Sequence, residues 1–283
     1  MTKWILFFRR VLAFALFLMS SGVAIAQCSD APLQLNERKV QIFWHDDFAR
    51  DLVDWGEVRF QFGRENISFV NYQDGPYSKT LRVAYPKGSY DPGSSAKGVA
   101  PMGGAQFTAH LSHMNLPSVE SVILSYSVRF KNDFDFARGG KLPGLYGGIP
   151  RSGGMIPTGR DGFSTRIVWQ AGGAGALYAY LPTSVAWGTL FGRGSWFFRA
   201  GKWVEVSQEI RLNTPGLDDG SVAIWIDRQL VHEACGLRFR DVDELRIDGI
   251  FFSTFFGGND ASWASSDDTY ADFADFRVAV RKF

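Results

Sequence analysis

Five side chains near the middle of the chain have the types and spacing needed to move a proton beside a negative charge. Ser164 and Arg166 stand two residues apart, as do Tyr178 and Tyr180. Lys141 precedes both pairs. An arginine guanidinium matches a carboxylate with two donors, and a lysine supplies a compact positive charge. A tyrosine hydroxyl, with an ordinary pKa of about 10, can donate or accept a proton. These residue types together suit proton transfer on an anionic ligand.

The segment that holds these residues is strongly basic. Residues 137–204 carry eight basic residues and one acid, Asp161, a local charge of +7 in a chain whose formal net charge is +1. The eight are Arg138, Lys141, Arg151, Arg160, Arg166, Arg193, Arg199 and Lys202. A surface of one sign concentrates ligands of the opposite sign, so we expect an anionic partner.

The first 26 residues have the pattern of a cleaved export signal. Three basic residues precede an apolar run at 11–19, and Ala24-Ile25-Ala26 supplies the small residues that a signal peptidase needs. We expect cleavage after Ala26 and a secreted or periplasmic protein. Gln27 stands where a lipoprotein signal needs a small residue before Cys28, so no lipid or membrane anchor is expected after cleavage.

Removal of this signal leaves one domain, 27–283, with a formal net charge of −2, because Lys3, Arg9 and Arg10 are lost. A nucleic-acid-binding protein would usually be basic overall, so we expect no nucleic-acid partner. We expect a monomer. Cys28 and Cys235 are the two cysteines of the chain, and the sequence leaves a disulfide and two free thiols equally open.

Alternating apolar residues predict a protein built of β-strands. Such segments lie at 122–130, 204–212, 222–226 and 276–280, and residues 250–256 are continuously apolar or small, as in a strand buried on both faces. Many strands with glycine-rich connections indicate an all-β fold, a two-sheet antiparallel β-sandwich of the jelly-roll, concanavalin-like kind.

Residues 163–170 and 176–181 are predicted to form a hairpin across a five-residue glycine-rich connection. If the connection is centred on Gly173, Arg166 lies opposite Tyr180, and Val168 lies opposite Tyr178. Alternation then places Ser164 and Arg166 on the same face as both tyrosines, while the apolar residues form the other face. Paired tyrosines on a strand are more often packing residues than catalysts, and the glycine-rich run before the hairpin is equally compatible with a plain loop.

The combination of motifs resembles polysaccharide lyase family 14, the alginate and polyglucuronate lyases with a β-jelly roll. The resemblance runs from about Val122 to the C-terminus, and a glucuronan lyase is similar in architecture. It rests on GKLPGLYGG at 140–148, STR at 164–166, YAY at 178–180 and FSTFFGG at 252–258. It implies an enzyme whose catalytic residues are Lys141, Ser164, Arg166, Tyr178 and Tyr180. For substrate binding we expect Arg138, Tyr146, Arg151, Gly257 and Asn259.

The implied reaction is β-elimination from an acidic polysaccharide, either alginate or glucuronan. Arg166 and Lys141 would neutralise the uronate carboxylate, and their charges would lower the pKa of Tyr178 so that it transfers the proton. A variant makes Lys141 the base and Tyr178 the acid, and the sequence does not separate the two.

Two other functions fit the sequence less well. Hydrolysis needs two facing carboxylates, which the acid-poor central stretch does not provide. A non-catalytic carbohydrate-binding module would keep the basic patch and exposed aromatics, but it would not need the lysine and the tyrosine pair together. No cofactor is expected. His110 and His113 are weak evidence for zinc, and loop acids at 259–260 or 267–268 are compatible with structural calcium.

Overall fold

The computed structural model describes residues 28, 34–114, 116 and 119–282. The export signal predicted for residues 1–26 lies outside the described residues. Within the described part, no helix combines the length and the apolar character that a membrane span requires.

The described residues fold almost entirely into β-strands, as the alternating apolar pattern predicts. The strands are β1 Val40–Asp46, β2 Val58–Phe62, β3 Ile67–Asn71, β4 Lys79–Tyr85, β5 Ala105–His110, β6 Ser121–Phe130, β7 Gly139–Gly148, β8 Gly162–Gln170, β9 Gly175–Tyr180, β10 Thr189–Phe191, β11 Trp203–Arg211, β12 Gly220–Ile226, β13 Gln229–Leu237, β14 Gly249–Phe256 and β15 Thr269–Arg281. One short α-helix, α1, spans Pro92–Ala96. Single turns of 3₁₀ helix span Glu37–Lys39, Val53–Trp55, Arg64–Asn66, Leu111–Met114, Ala171–Gly173 and Ala261–Trp263.

The strands pair into two antiparallel sheets. The sheet that we call the front sheet has the order β10-β9-β8-β7-β14-β5-β2. The back sheet has the order β13-β12-β11-β6-β15-β4-β3, with β1 also paired to β15. This arrangement confirms the predicted two-sheet antiparallel β-sandwich.

Aromatic side chains from both sheets fill the space between them. Phe107 and Phe252 of the front sheet stack with ring centroids 4.5 Å apart, and Phe276 of the back sheet packs 4.9 Å from Trp55. All four rings are fully buried. Complete burial of one such side chain contributes about 1.5–3 kcal/mol. The inner face of the front sheet is therefore firmly anchored, and its outer face is free to carry polar groups on a rigid support.

A β-bulge at Pro143 changes which side chains of β7 point outward. Lys141 pairs with Val168, whereas Gly144 pairs with Arg166, so Pro143 is the extra residue on β7. Proline has no N–H to donate to a neighbouring strand and is found at such irregularities. Its carbonyl oxygen accepts a hydrogen bond from the hydroxyl of Tyr126 across the core at 3.0 Å. The bulge puts Lys141 and Gly144 on the same face although they are three residues apart.

A disulfide joins Cys28 to Cys235 on β13, with the Cα atoms 5.6 Å apart. The sequence had left this pairing open. The backbone N–H of Cys28 also donates to a carboxylate oxygen of Glu233 at 2.7 Å. The bond attaches the N-terminal part of the described chain to the edge of the back sheet, far from the outer face of the front sheet.

The predicted hairpin forms from β8 and β9, but with a register different from the prediction. Arg166 lies opposite Tyr178, and Ser164 lies opposite Tyr180. The prediction was wrong by two residues because the chain reverses around Gly172 rather than around Gly173; both glycines have a positive φ, 68° and 80°. A shift of two preserves the alternation, so the predicted sharing of one face by these four residues is confirmed.

Candidate active site

The outer face of the front sheet brings together side chains from three adjacent strands. Lys141 comes from β7, Ser164 and Arg166 from β8, and Tyr178 and Tyr180 from β9. The run 139–144, for which a plain loop was an alternative, is part of strand β7. Neighbouring strands lie about 4.8 Å apart, so residues on paired positions are within reach of one small ligand.

Arg166 is a buried cation that has no carboxylate partner among the described residues. The residue is only 2% exposed, and its Nη1 donates a hydrogen bond to the hydroxyl of Ser253 at 3.2 Å. The Ser253 hydroxyl in turn donates to Oε1 of Gln106 at 2.8 Å. Nε has no hydrogen-bond partner in the described part of the chain. Burial lowers the pKa of Arg166 to about 10, although Tyr180 and Tyr178 oppose this effect.

The other deeply buried arginine of the described residues makes the contrast clear. Arg240 is 3% exposed, and its guanidinium pairs with the carboxylate of Glu120. It also donates to the carbonyl oxygens of Asn213 at 3.0 Å and Leu245 at 3.2 Å. A buried charge is costly unless it is paired and hydrogen-bonded. Arg240 meets that requirement within the protein, whereas Arg166 has no carboxylate partner among the described residues.

Lys141 lies near two aromatic rings, and the charge of Arg166 acts on its amino group. Its Nζ atom is 4.9 Å from the ring centroid of Tyr178 and 6.0 Å from that of Phe255. Burial, with a contribution from the charge of Arg166, lowers the pKa of Lys141 to about 7. A substantial fraction of the amino groups is therefore neutral near pH 7, and a neutral amine can accept a proton.

The pKa of Tyr178 moves in the opposite direction. Burial raises it well above the ordinary value, and the hydrogen bond to Tyr180, with hydroxyl oxygens 3.4 Å apart, adds to the rise. These effects outweigh Arg166, which acts to lower it. The expected lowering by a nearby cation is present, from Arg166, but the net pKa of Tyr178 is raised rather than lowered. Its hydroxyl also accepts a hydrogen bond from the backbone N–H of Gly188 at 3.2 Å, and Tyr178 stays protonated at neutral pH.

Tyr180 and Ser164 are buried and hold a neighbouring loop. The hydroxyl of Tyr180 accepts from the backbone N–H of Gly154 at 3.0 Å, and the residue is 1% exposed. Ser164 is fully buried and donates to the carbonyl oxygen of Arg151 at 2.5 Å. Both contacts fix the loop between β7 and β8 beside Tyr178. The geometry gives these two residues positioning contacts rather than an open path to a ligand.

The residues predicted to bind substrate are spread more widely. Arg138 is exposed, donates to Ser262, and lies over the ring of Trp263 at 4.7 Å. Arg151 pairs with Asp161, the one acid of the basic stretch. Tyr146 lies farther along the outer face, at a pocket that also contains Thr108.

Gly257 and Asn259, the last two residues predicted to bind substrate, lie in the loop after β14, and only Gly257 is close to Lys141. A Cβ atom on Gly257 would lie 3.0 Å from Nζ of Lys141, so this glycine is in contact with the site. Asn259 is exposed two residues farther on, and no contact places it at Lys141.

Gln106 and Ser253 support Arg166 but were not among the predicted site residues. Ser253 lies within the FSTFFGG segment, where period-two alternation places it outward between the buried Phe252 and Thr254. Alternation was therefore a usable signal for Ser253. Nothing in the sequence linked Gln106, on the distant strand β5, to the same spot.

The described residues of the site carry cations and phenols but no acids. No carboxylate contributes to the pKa of Lys141, Arg166 or Tyr178. The carboxylate pair that hydrolysis needs is therefore missing from the described residues here. Within the described residues there is also no group of three or more histidine, cysteine or acidic side chains suited to holding a metal ion.

Comparison with known proteins gives consistent results. The family model of polysaccharide lyase 14 matches residues 74–276, beginning well before the segment on which the predicted resemblance rested. The crystal structure of the marine PL-14 alginate lyase from Aplysia kurodai is 31% identical, with 86% of this chain and 100% of that chain covered and a TM-score of 0.73. No curated protein sequence matches the chain.

Two further solved structures share the fold at lower identity. A variant of the alginate lyase Aly36B in complex with alginate tetrasaccharide is 22% identical, with 89% of this chain and 96% of that chain covered and a TM-score of 0.65. The endo-β-1,4-glucuronan lyase from the fungus Trichoderma reesei is 16% identical, with 85% and 96% covered and a TM-score of 0.57. At these identities the likeness is one of fold alone.

Proposed function

This chain belongs to polysaccharide lyase family 14 and is a polysaccharide lyase, and we propose that it cleaves a uronate polymer, alginate or glucuronan, by β-elimination. One observation carries the proposal: the guanidinium of Arg166 and the amine of Lys141 lie on one face with no carboxylate partner in the described residues. A sugar carboxylate would supply the missing charge. Alginate is the first substrate to test, because the relative at 31% identity is an alginate lyase.

The difficult step is removal of the proton on C5 of the uronate. That proton is weakly acidic because the neighbouring carboxylate is already negative. Arg166, held by Ser253, would bind the carboxylate and stabilise the charge that spreads into it in the transition state. Nε of Arg166 is buried and has no hydrogen-bond partner in the described part of the chain, so the guanidinium keeps a donor for a sugar carboxylate that reaches it.

The pKa directions favour Lys141 as base and Tyr178 as acid. The neutral amine of Lys141 would take the C5 proton, and the electron pair of that C–H bond would form the C4–C5 double bond. The C4–O bond then breaks, and the leaving oxygen takes the hydroxyl proton of Tyr178. The products are an unsaturated uronate and a new chain end. Lys141 then loses its proton to solvent, and Tyr178 regains one.

Ser164 and Tyr180 would position this machinery. Their hydrogen bonds to the loop between β7 and β8 hold that loop beside Tyr178. The backbone N–H of Gly188 would steady the hydroxyl of Tyr178 in the direction of the leaving oxygen. Catalytic groups need this kind of support because small displacements are costly in rate.

The proposal also covers processing and assembly. The chain would be exported, cleaved after Ala26, and active as a monomeric single domain, 27–283, without a metal or other cofactor. The intact mass of the secreted protein tests the cleavage position, and sedimentation tests the monomer. Activity that is lost after EDTA treatment and restored by calcium would overturn the metal-free mechanism.

Ultraviolet absorbance of the purified mature protein with polymannuronate, polyguluronate and glucuronan tests the reaction directly. The conjugated double bond of an unsaturated uronate would raise the absorbance on at least one polymer. The increase should disappear in Lys141→Ala and fall sharply in Tyr178→Phe. No increase on any of the three would overturn the proposed substrate class, and full activity in Lys141→Ala would overturn the proposed base.

A further inference from the structure

A row of directly paired residues crosses the whole outer face of the front sheet. Its members, from one sheet edge to the other, are Leu190, Tyr178, Arg166, Gly144, Phe251, Thr108 and Arg59. With strands about 4.8 Å apart, Tyr178 and Arg59 are separated by five strand spacings, about 24 Å. The row therefore connects the proposed catalytic centre with a remote position that only an oligomer of several sugars can reach.

The far end of this row opens into a polar pocket of about 220 Å³. Arg59 and Thr108 contribute to it from the row itself, and Glu57, His110 and Tyr146 border it. The catalytic mechanism uses none of these side chains. Tyr146, which the sequence marked for substrate binding, lies here rather than beside Lys141.

His110 is oriented to offer a hydrogen-bond donor. Its Nδ1 accepts from the backbone N–H of Ser112 at 3.1 Å, and the Ser112 hydroxyl is 2.8 Å away from the same nitrogen. Because Nδ1 accepts from this backbone N–H, we assign the ring N–H of His110 to Nε2. The imidazole of His113 borders the same pocket, with its ring centroid 6.5 Å from that of His110.

Arg59 and Glu57 provide a donor and an acceptor side by side. Nε and Nη2 of Arg59 donate to the two carboxylate oxygens of Glu57 at 3.0 and 3.2 Å. Both side chains are largely exposed, 72% for Arg59 and 59% for Glu57. An exposed ion pair of this kind contributes little to stability, so either group can turn to a ligand at small cost. The guanidinium suits a sugar carboxylate, and the carboxylate of Glu57 suits sugar hydroxyls.

We propose that this pocket is a distal subsite that binds one uronate unit of the polymer while another unit reacts at Lys141 and Tyr178. This subsite rests on the proposed function. It would make the affinity for the substrate depend on the length of the polymer. Arg59 and His110 would donate to the carboxylate of the remote unit, and Glu57 would accept from its hydroxyls. Long substrates would then be bound more tightly than short ones, with no change in the chemical step.

Steady-state kinetics on oligomers of defined length test the subsite. In Arg59→Ala and His110→Ala, KM for the polymer and long oligomers should rise about tenfold, equivalent to ~1.4 kcal/mol of binding. Both kcat and the KM for trimers should stay unchanged, because only uniform binding of a remote unit is lost. Arg64→Ala is the matched control, since Arg64 is an exposed arginine nearby, outside the row and packed over Phe60 at 5.5 Å.

Two results would overturn the subsite. One is an unchanged KM on every length, and the other is an equal rise on trimers and polymer. Calorimetric binding of a long oligomer to Lys141→Ala, with and without Arg59→Ala, measures the subsite independently of turnover. If the wild-type chain gives no product but Arg59→Ala still weakens this binding, the proposed reaction fails and the subsite stands.

Discussion

The amino group of Lys141 lies 4.9 Å from the ring centroid of Tyr178, and the pKa values of these two residues are displaced in opposite directions. Burial acts on both. It disfavours the charged form of each group, which lowers the pKa of an amine and raises that of a phenol. One environment therefore prepares a neutral base and a protonated acid at the same pH. The opposite displacement of the two pKa values favours Lys141 over Tyr178 as the base. The presence of a tyrosine pair does not separate these two assignments.

The first prediction concerns the pH dependence of kcat/KM, which reports the free enzyme. Lys141 is neutral above its pKa of about 7, so kcat/KM should rise as the pH increases through about 7. It should stay high until about pH 10, where Arg166 begins to lose the charge that binds the carboxylate. The kcat profile should rise at a higher pH, because a bound uronate carboxylate favours the charged form of Lys141.

Initial rates between pH 5.5 and 9, measured by ultraviolet absorbance at low and saturating substrate, give both profiles. A kcat/KM that is flat across this range would contradict the assignment of Lys141 as base. So would a residual activity of Lys141→Ala that keeps the same inflection near pH 7. Arg166 is the neighbouring cation whose charge acts on Lys141. Its pKa of about 10 is too high to account for an inflection near pH 7.

The second prediction separates the two tyrosines. Loss of a general acid typically costs 10²–10⁴-fold, so Tyr178→Phe should lose about that factor in kcat with a nearly normal KM. Tyr180→Phe should lose much less, because its hydroxyl is buried against Gly154. Its main effect should be a lower free energy of unfolding, by about 0.5–1.5 kcal/mol for one hydrogen bond. The measurements are kcat and thermal unfolding of Tyr178→Phe and Tyr180→Phe. Equal losses of kcat in the two variants would argue against Tyr178 as the acid.

The third prediction compares the two buried arginines. Arg166→Met removes an unpaired buried charge, so stability should be unchanged or higher, while kcat/KM should fall by at least about 10²–10³-fold. Arg240→Met should keep the active site but lower the free energy of unfolding. The carbonyl oxygens of Asn213 and Leu245 would lose a donor, at about 1–3 kcal/mol for each buried acceptor left unsatisfied.

Denaturant unfolding and kinetics on the same two variants are the measurements. A large loss of stability in Arg166→Met would mean that the guanidinium is structural. The proposed role in binding the sugar carboxylate would then be wrong.

The sequence predicted the outer face of the hairpin well because period-two alternation is a local property. Ser164, Arg166, Tyr178 and Tyr180 needed only the correct parity, which survives a register error of two. Lys141 is different. Its outward direction depends on the bulge at Pro143, and an extra residue in one strand does not change the apolar pattern on which the prediction rests.

The remaining differences come from long-range contacts. The depth at which Tyr178 is buried, and hence the direction of its pKa shift, depends on loops that pack over it through Gly188 and Tyr180. Arg59 and His110 reach the same face as Tyr178 through pairing of β2, β5 and β14, which lie far apart in the chain. Alternation gives the face that a residue occupies on its own strand, but not which strands become neighbours.

The final prediction tests how closely the position of Lys141 is controlled. Gly257 has no positive φ, so alanine is compatible with its backbone, but the added Cβ would lie 3.0 Å from Nζ of Lys141. The lysine chain is flexible and would move by a few tenths of an ångström, away from residue 257. Gly257→Ala should therefore fold with a normal melting temperature and lose about tenfold or more in kcat, since small displacements of a catalytic group are costly. Thermal unfolding measures the melting temperature, and single-turnover kinetics measure the rate of the chemical step. An unchanged kcat in a normally folded variant would mean that the geometry at Lys141 tolerates this shift, and that the proton is transferred without close positioning of its amine.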